Sequence, residues 1–254
     1  MKNLILTLFI ASLTLTSCTP DDPATPPAVM GGVVPTKIVS SYSGGQVYTS
    51  TFSYSGNKIL EENIMPATDI SRIKYTYTGD LITKIQYYAG PAYDAFGGDI
   101  LTYENGKVKT TTDIPVAGYN GDLRKDTFTY NADGTVTGTT SYINQTTGVE
   151  SANGRQMRYT YSAGLLTKTE SISGGVVGQV TNYTNDSGKN PAFKNVTGFD
   201  QTMAQGNLRL SATYVGNPSA NQTFSYIYSA NNYPTQVVQP NAYGNQTKTQ
   251  VFTY

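Results

Sequence analysis

The chain has 254 residues, enough for one large β domain or two small ones, and its 17 Lys and Arg balance 17 Asp and Glu. A nucleic-acid-binding protein needs a basic surplus to neutralise phosphates, which this composition lacks. The chain has no His and one Cys, which excludes His-containing catalytic triads and zinc sites built on His or Cys. Its 21 Tyr, with abundant Thr, Asn and Gly, indicate strands joined by turns.

Residues 1–17 are predicted to be a signal peptide. Lys2 precedes an apolar run over residues 4–15, which is shorter than the roughly 20 residues that a membrane-spanning helix needs. The run ends in Leu-Thr-Ser-Cys, with the Cys at position 18, which resembles a bacterial lipobox. The resemblance implies cleavage before Cys18 and attachment of lipid to Cys18. The alternative is an ordinary secreted protein with an unmodified Cys.

Residues 18–36 are predicted to form a tether between the lipid and the folded domain. They contain five of the twelve prolines, a composition typical of extended segments that do not fold alone. Asp21 and Asp22 follow Cys18 closely and resemble the acidic export signal of surface lipoproteins in the Bacteroidota. This resemblance implies an outer-membrane lipoprotein exposed at the cell surface. A periplasm-facing orientation, in which the two acids carry no signal, is the alternative.

One short pattern recurs from residue 37 to the end of the chain. YTYTGDLITKI begins at Tyr75 and nearly returns as YTYSAGLLTK at Tyr159. The anchoring Tyr of each unit lies at position 54, 77, 103, 130, 161, 228 or 254, with a degenerate copy near Tyr183. Alternating runs on both sides of a Gly or Asn turn predict a β-hairpin in each unit. Asn105–Gly106 predicts a type I′ turn, and Gly134 a left-handed turn position.

Residues 37–254 are therefore predicted to form a single all-β domain. We expect an antiparallel up-and-down meander of roughly 16 strands. So many strands seldom stay flat, so we expect a barrel-like or strongly twisted sheet, with an open spiral sheet as the alternative. The repeated Tyr residues are expected to pack between neighbouring hairpins, because one hairpin cannot bury a face alone.

The repeat resembles the tyrosine-rich YD repeats of RHS-type proteins, although other dipeptides replace Tyr-Asp. It is also similar to a group of Bacteroidota lipoproteins of unknown function with a porin-like β fold, through KNPAF at residues 189–193 and NYPT at residues 232–235. These resemblances imply a fold and no activity. One face of the last strand carries Phe252, Gln250 and Lys248, which is too polar for a lipid-facing stripe. We therefore expect a soluble domain that is attached to the membrane by a lipid anchor.

Two segments interrupt the repeat, and irregular loops on a rigid sheet are common ligand sites. In residues 87–100, we predict that Tyr88, Tyr93 and Phe96 bind a ligand, since exposed aromatic rings suit stacking on sugars. The alternative is that these rings cap the sheet edge. The second segment, residues 190–207, predicts one short helix over residues 199–204.

The sequence offers no recognisable catalytic constellation. Glu61 and Glu62 are expected to point to opposite faces of a strand, so they cannot form the acid–base pair of a glycosidase unless a bulge intervenes. We predict a non-catalytic cell-envelope binding module for a glycan or a protein partner, with no cofactor, no metal and no nucleic-acid partner. The alternative is a hydrolase that acts on glycans through scattered carboxylates.

Overall fold

The computed structural model describes residues 32–67, 70–90, 92, 94–116, 121–198, 208–243 and 246–254. The regular secondary structure of these segments is almost entirely strand, with a 3₁₀ turn at Pro218–Ala220. The strands are β1 (Lys37–Tyr42), β2 (Val47–Ser55), β3 (Lys58–Met65), β4 (Ile70–Thr78), β5 (Leu81–Ala89), β6 (Asp94–Glu104), β7 (Lys107–Asp113), β8 (Leu123–Tyr130), β9 (Val136–Ile143), β10 (Glu150–Ser162), β11 (Leu165–Ser173), β12 (Val176–Asn185), β13 (Arg209–Tyr214), β14 (Gln222–Thr223), β15 (Ser225–Tyr228), β16 (Pro234–Tyr243) and β17 (Gln246–Thr253). Among the described residues, no helix has the length and apolar character needed to cross a membrane.

The 17 strands form one antiparallel sheet that curls into a nearly closed barrel. Successive strands pair from β1 to β14 and from β15 to β17, and β17 pairs back with β1. One seam of the barrel is not sealed. There β13 pairs with β14 through two residue pairs, Ser211 with Thr223 and Ala212 with Gln222. The expected all-β antiparallel meander of roughly 16 strands is confirmed, and the sheet forms a barrel rather than an open spiral.

The anchoring Tyr residues fasten each hairpin to a neighbouring segment. They lie on the face of the sheet that is turned to the barrel interior, here called the inner face. At four of these positions the hydroxyl donates to a backbone carbonyl: Tyr54 to Pro35 at 2.7 Å, Tyr103 to Ile82 at 2.7 Å, Tyr130 to Val108 at 3.1 Å and Tyr254 to Pro234 at 2.8 Å. The side chains of these acceptor residues are almost completely buried. The repeated phrase is thus an architectural unit, since these four copies supply both a ring for packing and a donor for a buried carbonyl.

A β-bulge accompanies most anchoring positions. The pairing register shifts immediately before the anchoring Tyr at Ser53/Tyr54, Thr76/Tyr77, Thr102/Tyr103, Thr160/Tyr161 and Ile227/Tyr228. A bulge bends its strand and increases the local twist. Repeating this bend at one level of the sheet gives the curvature that brings β17 back to β1.

The degenerate copy near Tyr183 keeps the hydrogen bond to a buried carbonyl but makes it with a different side chain. In Tyr183-Thr184-Asn185, the anchoring position is taken by Asn185. Its Nδ2 donates to the carbonyl of Leu166 at 2.7 Å, and Leu166 is 2% exposed. An amide donor therefore replaces the phenol, and the hairpin contact persists without the ring.

The turn residues behave as the sequence predicts. Asn105 and Gly106 both have positive φ, 51° and 74°, as a type I′ turn requires. Gly134 has φ 82°, the left-handed conformation expected at that position.

One end of the barrel is closed by apolar side chains, and we call it the closed end. Val34, Ile59 and Val196 form a buried cluster there, with Phe193 and Tyr77 packed against it. The backbone N–H of Thr197 donates to Asn57 O at 2.9 Å, which holds the irregular segment against a hairpin turn. This segment, residues 190–198, therefore covers the closed end. The helix predicted over residues 199–204 lies outside the described residues.

The chain also enters the barrel at the closed end. Val34 is 5% exposed, Pro35 is buried, and Thr36 N donates to Thr253 O at 2.7 Å. The last residues of the predicted tether thus pack on the domain. The up-and-down topology places the loops that follow β5, β7, β9 and β11 at the other end, here called the mouth.

Candidate functional site

A cavity of about 490 Å³ lies on the inner wall formed by β8 to β12, on the mouth side of the anchoring Tyr residues. We call it the inner-wall cavity. The side chains that characterise it are Arg124, Asp126, Tyr142, Arg155, Tyr159 and Ser171. Its volume lies within the range of about 300–1,000 Å³ that is common for small-molecule sites.

Strand alternation and two glycines shape this cavity. Arg124, Asp126 and Phe128 are alternate residues of β8 and share the inner face. A Cβ on Gly138 would lie 3.2 Å from the Phe128 ring, so glycine lets that ring approach the floor. A Cβ on Gly178 would lie 3.1 Å from Ser171 Oγ. The missing side chain at Gly178 therefore leaves part of the cavity open.

The wall carries fixed charges. Arg124 Nη2 lies 2.7 Å from Asp126 Oδ2, and Thr140 Oγ1 donates to Asp126 Oδ1 at 2.6 Å. Asp126 is therefore an oriented acceptor. The Arg155 guanidinium has no acidic partner and no acceptor within the described part of the chain. Burial, followed by the charge of Asp126, raises the pKa of Tyr159, so this phenol stays protonated and able to donate at neutral pH.

Further titratable groups have shifted pKa values elsewhere in the sheet. Tyr87 Oη donates to Asp99 Oδ2 at 2.7 Å, and burial is the main cause that raises the pKa of the Asp99 carboxyl. Burial also raises the pKa of Glu62 and lowers that of Lys248. Over the described ranges, no three His, Cys, Asp or Glu residues lie close enough together to hold a metal ion.

The arrangement suits a small ligand rich in hydroxyl groups. A sugar hydroxyl both donates and accepts, and the wall offers donors at Arg155 and Tyr159 and acceptors at Asp126 and Ser171. The Tyr142 hydroxyl makes no hydrogen bond within the described part of the chain, so it is also available to a ligand. Because these residues stand on strands, their backbone positions are fixed before a ligand arrives.

The predicted binding residues lie away from this cavity. Tyr88 is on the opposite face of β5 from Tyr87, where Arg72 Cζ lies 4.6 Å and Lys74 Nζ 5.7 Å from its ring centroid. Phe96 is 58% exposed in β6, at a register shift opposite Tyr87 and Tyr88. Tyr93 and the lipidation site Cys18 lie outside the described residues. Tyr88 and Phe96 thus flank the mouth on β5 and β6, whereas the inner-wall cavity lies on β8 to β12.

Sequence reasoning missed the inner-wall residues because they lie in regular strands rather than in loops. One signal was available in β8. Arg124 and Asp126 precede Phe128 and Tyr130 at spacing two, so they share the face that carries the anchoring aromatics. Charges on a face expected to be buried indicate either a buried ion pair or a polar site.

The comparisons with known proteins concern the fold. No protein-family model and no curated protein matches the chain. Among solved structures, a porin-like protein from Bacteroides vulgatus aligns over 88% of this chain and 99% of its own, with a TM-score of 0.56 and 15% identity. A porin-like protein from Bacteroides uniformis aligns over 86% of this chain and 97% of its own, with a TM-score of 0.49 and 16% identity. At 15% identity the first likeness shows the fold alone, and the expected resemblance to a porin-like β fold is confirmed.

Proposed function

We propose that the protein is a non-catalytic, lipid-anchored binding protein of the outer membrane, exposed at the cell surface. Its ligand is a hydroxyl-rich small molecule or glycan end that enters the inner-wall cavity. The observation that carries this proposal is the cavity itself, about 490 Å³ in volume and lined by charged, phenolic and hydroxyl side chains on rigid strands.

The polar chemistry of the barrel's outer face supports a domain surrounded by water rather than a membrane pore. Hydroxyl pairs recur on this face, with Thr102 and Thr110 Oγ1 atoms 2.7 Å apart and Thr184 and Ser211 hydroxyls 2.7 Å apart. A lipid-facing barrel surface needs a continuous apolar band about 25 Å tall. The apolar cluster at the closed end also opposes conduction along the barrel axis.

The place where the chain enters the barrel supports the anchoring arrangement. Val34 and Pro35 are buried at the closed end, so the predicted tether from Cys18 joins the barrel there. The inner-wall cavity lies toward the mouth, beyond the layer of anchoring Tyr residues. A lipid on Cys18 therefore leaves the mouth accessible from the aqueous side.

A glycan array tests the proposal. The mature chain, residues 18–254 with Cys18→Ser to prevent acylation, is screened for binding, and each bound glycan is incubated with the protein and analysed for cleavage products. We expect binding without cleavage. Cleavage would favour the alternative, a carboxylate-dependent glycan hydrolase, and failure to bind any glycan would contradict the proposal.

A cavity-filling variant locates the site. Gly178→Leu places a side chain in the inner-wall cavity, and we expect it to weaken glycan binding about tenfold or more, equivalent to at least 1.4 kcal/mol. Gly188→Leu is the matched control, because a Cβ there meets only Asp186 Oδ1 at 3.7 Å. Equal binding by both variants would place the site elsewhere. Loss of binding in Tyr88→Ala or Phe96→Ala alone would assign it to the β5–β6 loop region.

A further inference from the structure

A second cavity, of about 320 Å³, lies beside the unsealed seam, and we call it the seam cavity. Its wall divides into two chemical halves. Phe193, Phe224 and Phe252 supply an aromatic half, whereas Arg209, Gln239 and Gln250 supply a polar half. The two cavities share no lining residue, so the seam cavity is separate from the inner-wall cavity.

Within the described ranges of the chain, the Arg209 guanidinium has no hydrogen-bond acceptor. Among the described residues its buried Nε has no hydrogen-bond partner, and its Cζ lies 4.1 Å from the centroid of the Tyr183 ring. Asp186 does not neutralise it, because that carboxylate accepts from the Tyr228 hydroxyl at 3.0 Å and forms no ion pair with Arg209. A buried donor on a charged group without an acceptor costs free energy, so its retention calls for an explanation.

The neighbouring amides extend the polar half. Gln250 Nε2 donates to Ser40 Oγ at 3.2 Å, while the Gln239 amide has no partner among the described residues. Arg209 and Gln239 therefore offer N–H donors on one wall of a cavity whose other walls are aromatic and aliphatic. This combination recognises an anionic head group of planar shape on an apolar body.

The seam supplies an access route. Arg209 begins β13, and Phe224 separates β14 from β15, so both lie where the ladder is reduced to two residue pairs. The Phe224 N–H adds one bond to Leu210 O at 2.8 Å. Because few ladder hydrogen bonds hold this edge, opening it costs less free energy than opening the rest of the sheet.

We propose that the seam cavity binds a small amphiphilic carboxylate. The carboxylate accepts from the Arg209 guanidinium and the Gln239 amide, and the aliphatic or aromatic body packs among the three Phe rings. This inference is independent of the glycan site.

Isothermal titration calorimetry with three probes tests the inference on the mature chain carrying Cys18→Ser. Octanoate has both the head group and the apolar body, octanol lacks the charge, and acetate lacks the body. We expect saturable octanoate binding and affinities at least about tenfold weaker for octanol and acetate. Acetate binding as tight as octanoate would mean an anion site only, and equal octanol binding would mean an apolar void. Either result overturns the proposal.

Two Arg variants distinguish a specific contact with Arg209 from a general effect of removing a positive charge. Arg209→Met should weaken octanoate binding at least about tenfold and leave octanol binding unchanged. Arg155→Met is the matched control, since it removes an equally unpaired guanidinium from the other cavity and should not affect octanoate. Gln239→Leu gives a second variant, with a smaller expected loss. Octanoate binding that is the same in Arg209→Met and Arg155→Met would refute the assignment.

Discussion

Removing one anchoring hydroxyl measures what the repeat contributes to stability. Tyr103→Phe keeps the ring and its packing, creates no cavity, and deletes only the donor to Ile82 O at 2.7 Å. A lost hydrogen bond costs about 0.5–1.5 kcal/mol net, and an acceptor left buried without a partner raises the cost to about 1–3 kcal/mol. Because Ile82 is 4% exposed, water has little access to its carbonyl, and we expect a loss of about 1–2 kcal/mol.

Urea denaturation followed by Tyr fluorescence gives the free energy of unfolding, and a thermal scan provides a second measure. In a domain of this size, 1 kcal/mol corresponds to about 2–4 °C in Tm. Tyr142→Phe is the matched control, because the Tyr142 hydroxyl has no partner within the described part of the chain. Its stability should stay within about 0.5 kcal/mol of the parent.

The same substitution at four anchors extends the test. Tyr54, Tyr103, Tyr130 and Tyr254 bind separate carbonyls, so their effects should add. The quadruple Phe variant should lose about 4–8 kcal/mol, a large part of the 5–15 kcal/mol typical of a folded domain. The reasoning is refuted if Tyr103→Phe is as stable as Tyr142→Phe, since the hydroxyl contacts would then contribute nothing.

Two further predictions concern pH and lipid attachment. Burial raises the pKa of Tyr77 to about 12 and shifts the pKa of Tyr54 and Tyr75 upward as well. These phenols ionise near pH 10 in the unfolded chain, so their contribution to stability should be constant below about pH 10 and fall by up to about 1.4 kcal/mol per pH unit for each phenol above it. Urea midpoints from pH 8 to 11.5 check this, and a flat profile above pH 10 would contradict it. For the lipid anchor, the full chain expressed in a Bacteroides host should partition into detergent, whereas the Cys18→Ala variant should not. Ser17→Ala is the control. Identical partitioning of the parent and Cys18→Ala would exclude lipidation at this site.

Local chemistry made the hairpins predictable from sequence. Alternation along a strand and the φ values that Asn105–Gly106 and Gly134 adopt are properties of a few adjacent residues. The recurrence of such units then indicated an all-β meander with about the observed number of strands. The sequence indicated that the sheet would curl but not that it would close into a barrel, since closure depends on bulges repeated at one level of the sheet.

Position on the inner or outer face needed the tertiary structure. Tyr87 and Tyr88 are adjacent and chemically identical, yet Tyr87 bonds Asp99 while Tyr88 packs under Arg72 on the other face. The register shifts in β4 and β5 determine which residue takes which face, and one residue of slip exchanges them. An aromatic cluster in the sequence therefore did not identify a site.

The repeating unit, its turns and the fold class follow from the amino-acid sequence alone, because each rests on contacts between residues close in the chain. Where polar groups meet depends instead on the nearly closed barrel. Arg209, Phe193 and Gln239 line one cavity although they come from three separate segments, and curling of the sheet brings them together. The inner-wall cavity depends likewise on five strands and on the space left at Gly178. Such sites arise from the closure of the whole sheet, which no single repeat encodes.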